Sequence, residues 1–401
     1  GSEMCIRDRP IAVYVFSVCT FAFGLSEFVV AGLVSAMADG LHAKIEAVGT
    51  AIAAYAFGAA IGAPLIPALV AHWRDRRTLA WSMAVLAVGS GLMSLSDTLP
   101  VLLGVRFVVG LAHGVFMAVA SDAATRLVDD ARAGRAVAVV WIGLTLALAL
   151  GVPLGTFLGS IWSWRAVFAA IGVLALIGLA GLRWCMPSHD ASCGPAADRP
   201  GAGAGLRAIA HPKMLMSAGV GALVSVATFC FFTFVSPYLL QVTGADVQRL
   251  SAAMLLFGVC SIAGNLLGGY LVDKMDADRA ALLALAGLSA TLLALYGFRQ
   301  SGWTVVALAG ALGLVFFCIV TILTLRLLKL AQRHVPESTA VAAGLNIASF
   351  NLGTAVGGGL GSLTIAWAGL PALPLAGAAA AVAAMAALWW QSARSSARQP
   401  A

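Results

Sequence analysis

The sequence predicts an all-α polytopic membrane protein with twelve transmembrane helices, arranged as two pseudo-symmetric six-helix bundles. Three observations carry that expectation. Hydrophobic residues make up 61% of the chain and charged residues only 10%, against about 25% charged in a soluble domain, so it cannot clothe a globular surface in water. Its apolar runs reach the roughly 20 residues that a span requires. They are rich in Ala, Leu and Gly and lack period-two alternation, which excludes barrel strands and leaves helices to satisfy every backbone amide in lipid.

The elements follow in order, each bounded by charge or turn residues. Span 1 (11–37) follows Arg7 and Arg9, and span 2 (48–71) ends before Arg74, Arg76 and Arg77. Spans 3 (78–95) and 4 (100–124) precede the cluster Arg126, Arg132 and Arg135; spans 5 (136–160) and 6 (166–186) lead to the polar segment 187–211. Span 7 (212–241) and span 8 (250–271) are followed by Lys274 and Arg279. Spans 9 (280–298) and 10 (303–325) precede Arg326, Lys329 and Arg333; spans 11 (338–365) and 12 (371–391) precede Arg394 and Arg398. Alternate connections therefore hold 19 of the 24 Lys and Arg, the others hold only Lys44, Arg165, Arg249 and Arg299, and Arg106 stands inside a span. By the positive-inside rule both termini are expected in the cytoplasm. The net charge of +7 then needs no nucleic-acid partner.

The opening residues 1–9 are polar and read as a non-native or disordered leader. No cleavable signal peptide is expected, because the first apolar run is too long and has no small-residue cleavage pattern. The seven cysteines have no CxxC or Cys/His spacing, and most sit in apolar spans. Neither disulfide, metal nor cofactor is expected. Segment 187–211 contains Pro187, Pro195, Pro200 and a Gly201–Gly205 run, the composition of a flexible linker. It divides a first bundle (10–186) from a second (212–391), with a cytoplasmic tail at 392–401. The halves align at a constant offset of 202: Leu150-Gly151, Gly155 and Leu158-Gly159-Ser160 match Leu352-Gly353, Gly357 and Leu360-Gly361-Ser362, Gly62 matches Gly264, and Arg77 matches Arg279. Parallel six-helix repeats are one known plan for a transporter.

Four stretches add specificity: Gly24-Leu25-Ser26-Glu27-Phe28, Arg106 to Gly114, Gly143 to Gly159, and the loops after spans 2 and 8. On these the chain resembles the major facilitator superfamily over residues 10–392, in particular its twelve-span drug:proton antiporters and their arabinose-efflux-permease-like branch. In span 5, Gly143, Ala147, Gly151, Gly155 and Gly159 form one smooth face with a kink at Pro153. The resemblance implies the antiporter signature, packing the two halves together; the physics alone allows any close helix–helix contact. Span 11 repeats the device with Ser349, Gly353, Gly357 and Gly361. The loop Gly269-Tyr270-Leu271-Val272-Asp273-Lys274, with Arg279 after it, matches the family's acid–base latch. In the first half Pro67 and Ala71 replace its glycine and aspartate, and Asp75 sits elsewhere, so Arg74, Arg76 and Arg77 lack that acid.

Ionisable groups inside a bilayer are costly and are functional candidates by default. Four fall within spans: Glu27, Arg106, His113 and Asp122. Arg106 and His113 are seven residues apart and share a helix face, roughly 9 and 20 Å below the end of span 4, with Glu27 about 15 Å down span 1. Since both spans line the central cavity in the family fold, Glu27 is expected to face Arg106, His113 or both. It is the candidate proton carrier, with Arg106 tuning it; the plainer alternative is a permanent Glu27–Arg106 ion pair that fixes packing. His113 either binds substrate or hydrogen-bonds a neighbouring helix. Asp122 faces away, near the cytoplasmic end, and is expected to gate or brace by pairing with Arg74, Arg76 or Arg77.

The second half carries no intramembrane charge. At the offset of 202, Phe229, Leu308 and Val315 stand opposite Glu27, Arg106 and His113. Its candidate substrate wall comprises Phe229, Phe231, Phe232, Tyr238, Gln241, Phe316, Phe317, Thr321, Asn346 and Asn351, suited to an amphiphilic solute. The expectation is a functional monomer in a bacterial cytoplasmic membrane, exporting a drug-like molecule, sugar or nucleoside in exchange for protons. An uncoupled facilitator or a proton symporter importing a nutrient is the close rival. An intramembrane enzyme would need a nucleophile–base or metal constellation, and a channel a filter or charged ring; the sequence offers neither.

Overall fold

A computed structural model of the chain describes residues 10–70, 73–128, 133–186, 211–334 and 339–396, and these contain helices and no strand. The expected leader, and all of the expected linker but His211, lie outside the described residues. In order the helices are α1 Pro10–Leu41, α2 Ile45–Leu69, α3 Asp75–Ser94, α4 Leu99–Arg126, and a broken α5 made of Ala133–Leu146, Ala147–Gly151 and Val152–Ile161. Then come α6 Trp164–Cys185, α7 Pro212–Phe232, α8 Val247–Lys274, α9 Ala277–Gly297, α10 Gly302–His334, α11 Thr339–Ala368 and α12 Leu373–Ser396.

Ten of these helices are long and apolar enough to cross a membrane. The other two are α3, whose first turn is Asp75-Arg76-Arg77, and α11, which carries Asn346, Asn351 and a run of glycines. Large apolar side chains face outward along the helices, including Leu69, Leu266 and Leu363, with exposed Trp162, Trp184, Trp303 and Trp367 toward the helix ends. Lipid rather than water is the solvent such a surface accepts.

Glycines set the closest helix approaches. Gly110 of α4 lies on the Tyr55 carbonyl of α2, and a Cβ there would be 2.0 Å from that oxygen; one on Gly62 would be 2.3 Å from the Leu111 carbonyl oxygen. The second half repeats this: Gly313 of α10 lies on the Phe257 carbonyl of α8, and Gly264 on that of Leu314. Tyr55/Phe257 and Gly62/Gly264 keep the offset of 202, whereas Gly110/Gly313 and Leu111/Leu314 are offset by 203. One residue has entered before α10. The true counterparts of Arg106 and His113 are therefore Ala309 and Phe316, a correction to Leu308 and Val315.

Pro153 cannot donate a backbone hydrogen bond, and α5 accommodates it with a π-helical turn at Ala147–Gly151. The glycine face of α5 does not join the halves as the family resemblance implied. Gly143 lies on the Ser17 carbonyl, and Gly151, Gly155 and Gly159 meet Phe21, Leu25, Val29 and Leu33, all of α1. The close approach between halves is instead Gly258 of α8 against Leu148 and Ala149, in the π-turn itself. At the end of the bundle away from the termini, Ser236 bonds Ser35 (3.2 Å), Ser362 donates to the Glu46 carbonyl (2.9 Å), and the Phe234 ring covers Gly49. Among the described residues, Ser236–Ser35 and Ser362–Glu46 are the hydrogen bonds that link residues 10–186 to 211–396.

Charges at the terminus end pair differently from expectation. Asp122 bonds Arg126, one turn along its own helix (2.7 Å), and not Arg74, Arg76 or Arg77. Arg126 also bonds Asp75 (2.6 Å), so Asp75 supplies the acid that Ala71 lacks. Arg77 lies over the Trp73 ring, and Arg76 donates to the Arg183 carbonyl. In the second half the acid in the pair is Asp278, on Arg326 (2.6 Å), with Ser217 and Ser392 completing the cluster. Asp273, the expected latch acid, has no ion pair among the described residues; a Cβ on Gly269 would meet nothing within 4 Å, and the Arg279 amide caps on Asp276.

Candidate functional site

Near the middle of the first half, α1, α2 and α4 bring together Glu27, Tyr55, Arg106 and His113. The Gly110–Tyr55 approach makes this possible, because it draws α4 onto α2 between the two basic residues. Arg106 is 0% exposed, and its cation must be compensated in place. Its Nε donates to the Ala51 carbonyl (3.1 Å), and its two Nη groups to the carbonyls of Ser26 (2.5 Å) and Glu27 (3.4 Å). A helical carbonyl already bonded along its helix has a second lone pair available for such a donor. The Tyr55 ring lies under the guanidinium at 4.3 Å, a cation–π contact, and the Tyr55 hydroxyl donates to the Phe23 carbonyl (3.3 Å).

Glu27 is 8% exposed and His113 5%. His113 Nδ1 stands 3.5 Å from Glu27 Oε2. The imidazole is stacked on Phe23 (centroids 5.0 Å apart, planes 7° apart) and flanked by Tyr55 at 5.6 Å. Of the two expected neighbours of the Glu27 carboxylate, the structure brings His113 to it. Arg106 reaches the main chain of the same residue, with no guanidinium–carboxylate pair among the described residues. The permanent Glu27–Arg106 ion pair is thus absent from this conformation.

Across the interface, Phe28 of α1 faces Phe229 of α7 (6.3 Å), and Phe229 packs edge-on to Phe232 (5.8 Å) and Phe316 (5.7 Å). Among the described residues, Phe229 is the member of the expected wall with a ring contact to the first half, through Phe28. Phe232 stacks on Phe257 of α8 at 4.0 Å, inside the second half, and Phe317 packs edge-on to Phe257 and Phe316. Phe231 and Tyr238 pack on each other, and the Tyr238 hydroxyl donates to the Leu295 carbonyl (3.0 Å), so this tyrosine is held against α9. Gln241 is exposed at the end away from the termini. Thr321 donates to Asn265 (2.9 Å), Asn346 to Thr324 (2.9 Å), and Asn351 to the Ile347 carbonyl while its own Oδ1 is buried without a partner. Asn265 also lines a crevice of about 200 Å³ between α5 and α8, with Ile142, Thr145, Leu146, Ile262 and Leu266.

The sequence reading missed Tyr55 and Phe23, and named Phe28 only as part of a motif. Tyr55 and Phe23 look like ordinary apolar-span aromatics, and only the depth shared with Glu27 and His113 would have singled them out. Among the described residues, no group of three His, Cys, Asp or Glu is placed to hold a metal.

A bundle of apolar helices in two repeated sets, with a buried acid, base and guanidinium at mid-depth, defines a membrane transporter. The chain belongs to the Major Facilitator Superfamily, whose family model matches residues 16–345. It is 36% identical over 278 residues to a chloramphenicol resistance protein of Streptomyces lividans, covering 69% of this chain and 70% of that protein. It is 31% identical over 360 residues to the inner membrane transport protein YdhP of Escherichia coli (strain K12), covering 89% and 90%. The fold superposes on the crystal structure of a D-xylose-proton symporter with a TM-score of 0.74 at 16% identity, covering 94% of this chain and 97% of that one.

Proposed function

We propose that the protein exports a small organic solute from a bacterial cytoplasm in exchange for protons, by alternating access, with Glu27 as the coupling acid. The observation that carries this reading is the state of Glu27: a buried carboxyl, free of any guanidinium partner among the described residues, beside an imidazole that has no hydrogen bond. A carboxyl in such a place gains or loses a proton as the cavity around it opens to one side or the other. Arg106 supplies a fixed positive charge bonded to the main chain of the same residue and ties α1, α2 and α4 together. The aromatic cluster around Phe229 and Phe316 offers the solute an apolar wall. Export is supported by the name of the Streptomyces relative, a resistance protein. One proton crossing about 100 mV provides ~2.3 kcal/mol, enough for a solute gradient of roughly fifty-fold.

In this reading the termini are cytoplasmic, the chain works as a monomer, and the seal at Ser35–Ser236 and Glu46–Ser362 closes the outer side. The decisive experiment is transport in proteoliposomes with an internal pH dye, run against a panel of drugs, sugars and nucleosides. Solute-dependent proton movement is expected in the wild type and none in Glu27→Gln. Solute movement in the wild type without any proton signal identifies an uncoupled facilitator, and proton and solute moving the same way identify a symporter.

A further inference from the structure

Arg106 commits Nε and both Nη groups to the carbonyls of Ala51, Ser26 and Glu27. The Glu27 carboxylate is left with one basic side chain within 4 Å among the described residues, His113, whose Nδ1 is 3.5 Å from Oε2. That separation is longer than a hydrogen bond. Both ring nitrogens of His113 are buried without a partner, an arrangement that native proteins rarely tolerate without a use. The ring plane is held by Phe23 on one face and Tyr55 on its flank, so the imidazole stays turned toward the acid.

We infer that Glu27 and His113 form a dyad that shares one transported proton, which makes His113 a proton-binding residue and not a solute ligand. This rests on the reading of Glu27 as the coupling acid. Without the proton, the carboxylate and neutral imidazole carry one negative charge, balanced by Arg106. With it, the pair is neutral whether the proton sits on oxygen or nitrogen, and an O–H···N or N–H···O bond closes the 3.5 Å gap. A second proton would leave a net positive dyad beside the Arg106 cation in a low-dielectric site, which is strongly disfavoured. Among the described residues, the other titratable groups facing the dyad are Tyr55 from α2 and Arg106 from α4, and α1 adds Phe23 and Ser26.

The test needs no solute. The full chain, ¹⁵N-labelled at histidine, is reconstituted in phosphatidylethanolamine/phosphatidylglycerol vesicles and titrated with pH by infrared spectroscopy and solid-state NMR. The Glu27 signal is the carboxylic C=O band that Glu27→Gln removes. The His113 signal is the ring resonance that His113→Phe removes, a change that keeps the stack on Phe23. The two signals should titrate with one midpoint, His113→Phe should change the proton affinity of Glu27 at least threefold, and Glu27→Gln should move the His113 titration. A change below threefold, or a His113 titration untouched by Glu27→Gln, overturns the dyad while leaving Glu27 as the coupling acid. Absence of any Glu27-dependent band sinks the proposed function itself. If His113→Phe is not monodisperse in detergent, His113→Asn takes its place under the same criteria.

Discussion

The two halves pack their helices alike and fill the same points with opposite chemistry. Where α4 meets α2 through Gly110 on Tyr55, α10 meets α8 through Gly313 on Phe257. At mid-depth beside that approach the first half places Glu27 against His113, and the second places Phe229 against Phe316 at the matching positions. A guanidinium at Arg106 answers to a methyl group at Ala309. The backbone approach depends only on glycines and tolerates either content. A duplicated fold can therefore hold charge in one copy and an aromatic surface in the other, and Phe28 against Phe229 is where the two meet.

The comparison breaks most readily at Arg106. Arg106→Leu removes three bonds from a buried cation to carbonyls, and hydrogen bonds of charged groups are worth about 1.5–3 kcal/mol each, so it should cost at least about 3 kcal/mol of stability, read as a large fall in thermal melting temperature in detergent. A mild effect would mean that the charge of the first half is not structural. Next come Gly110→Ala and Gly313→Ala, each near the upper end of about 1–3 kcal/mol, because the added methyl meets backbone at 2.0 and 2.3 Å. Equal losses in the two melts would sharpen the packing symmetry, and a difference of more than twofold would refute it. The smallest contrast lies at the terminus end. Asp278→Asn should cost about 1.5–3 kcal/mol, since Arg326 is well buried. Asp75→Asn should cost less than about 1 kcal/mol, since Arg126 is 35% exposed and keeps Asp122. Reversal of that order would show that the first-half cluster is the braced one.

Much of this was legible in the sequence because bilayer physics is one-dimensional. A stretch such as 212–232 must span as a helix whatever surrounds it, and the basic loops recur on alternate sides. Intramembrane charge was equally plain: Glu27, Arg106 and His113 stand out against apolar neighbours. Partner choice was not. The pairing of Glu27 with His113 and not with Arg106 depends on how far α4 slides along α1 and on which carbonyls the guanidinium finds first. The glycine face of α5 was visible as a face, but nothing in its spacing told whether α1 or the other half lies on it.

The sequence by itself determined that this chain spans a membrane in two repeated halves and that its buried charge sits in the first. Tertiary structure alone decided which groups touch. It set the one-residue shift that puts Phe316 opposite His113, turned Tyr238 away onto Leu295, and placed Asp278 and not Asp273 on a basic partner, Arg326. The physical reason is that hydropathy is a property of each residue, whereas a contact depends on the rotation and slide of two helices. Those are set by the few places where glycine lets one backbone rest on another.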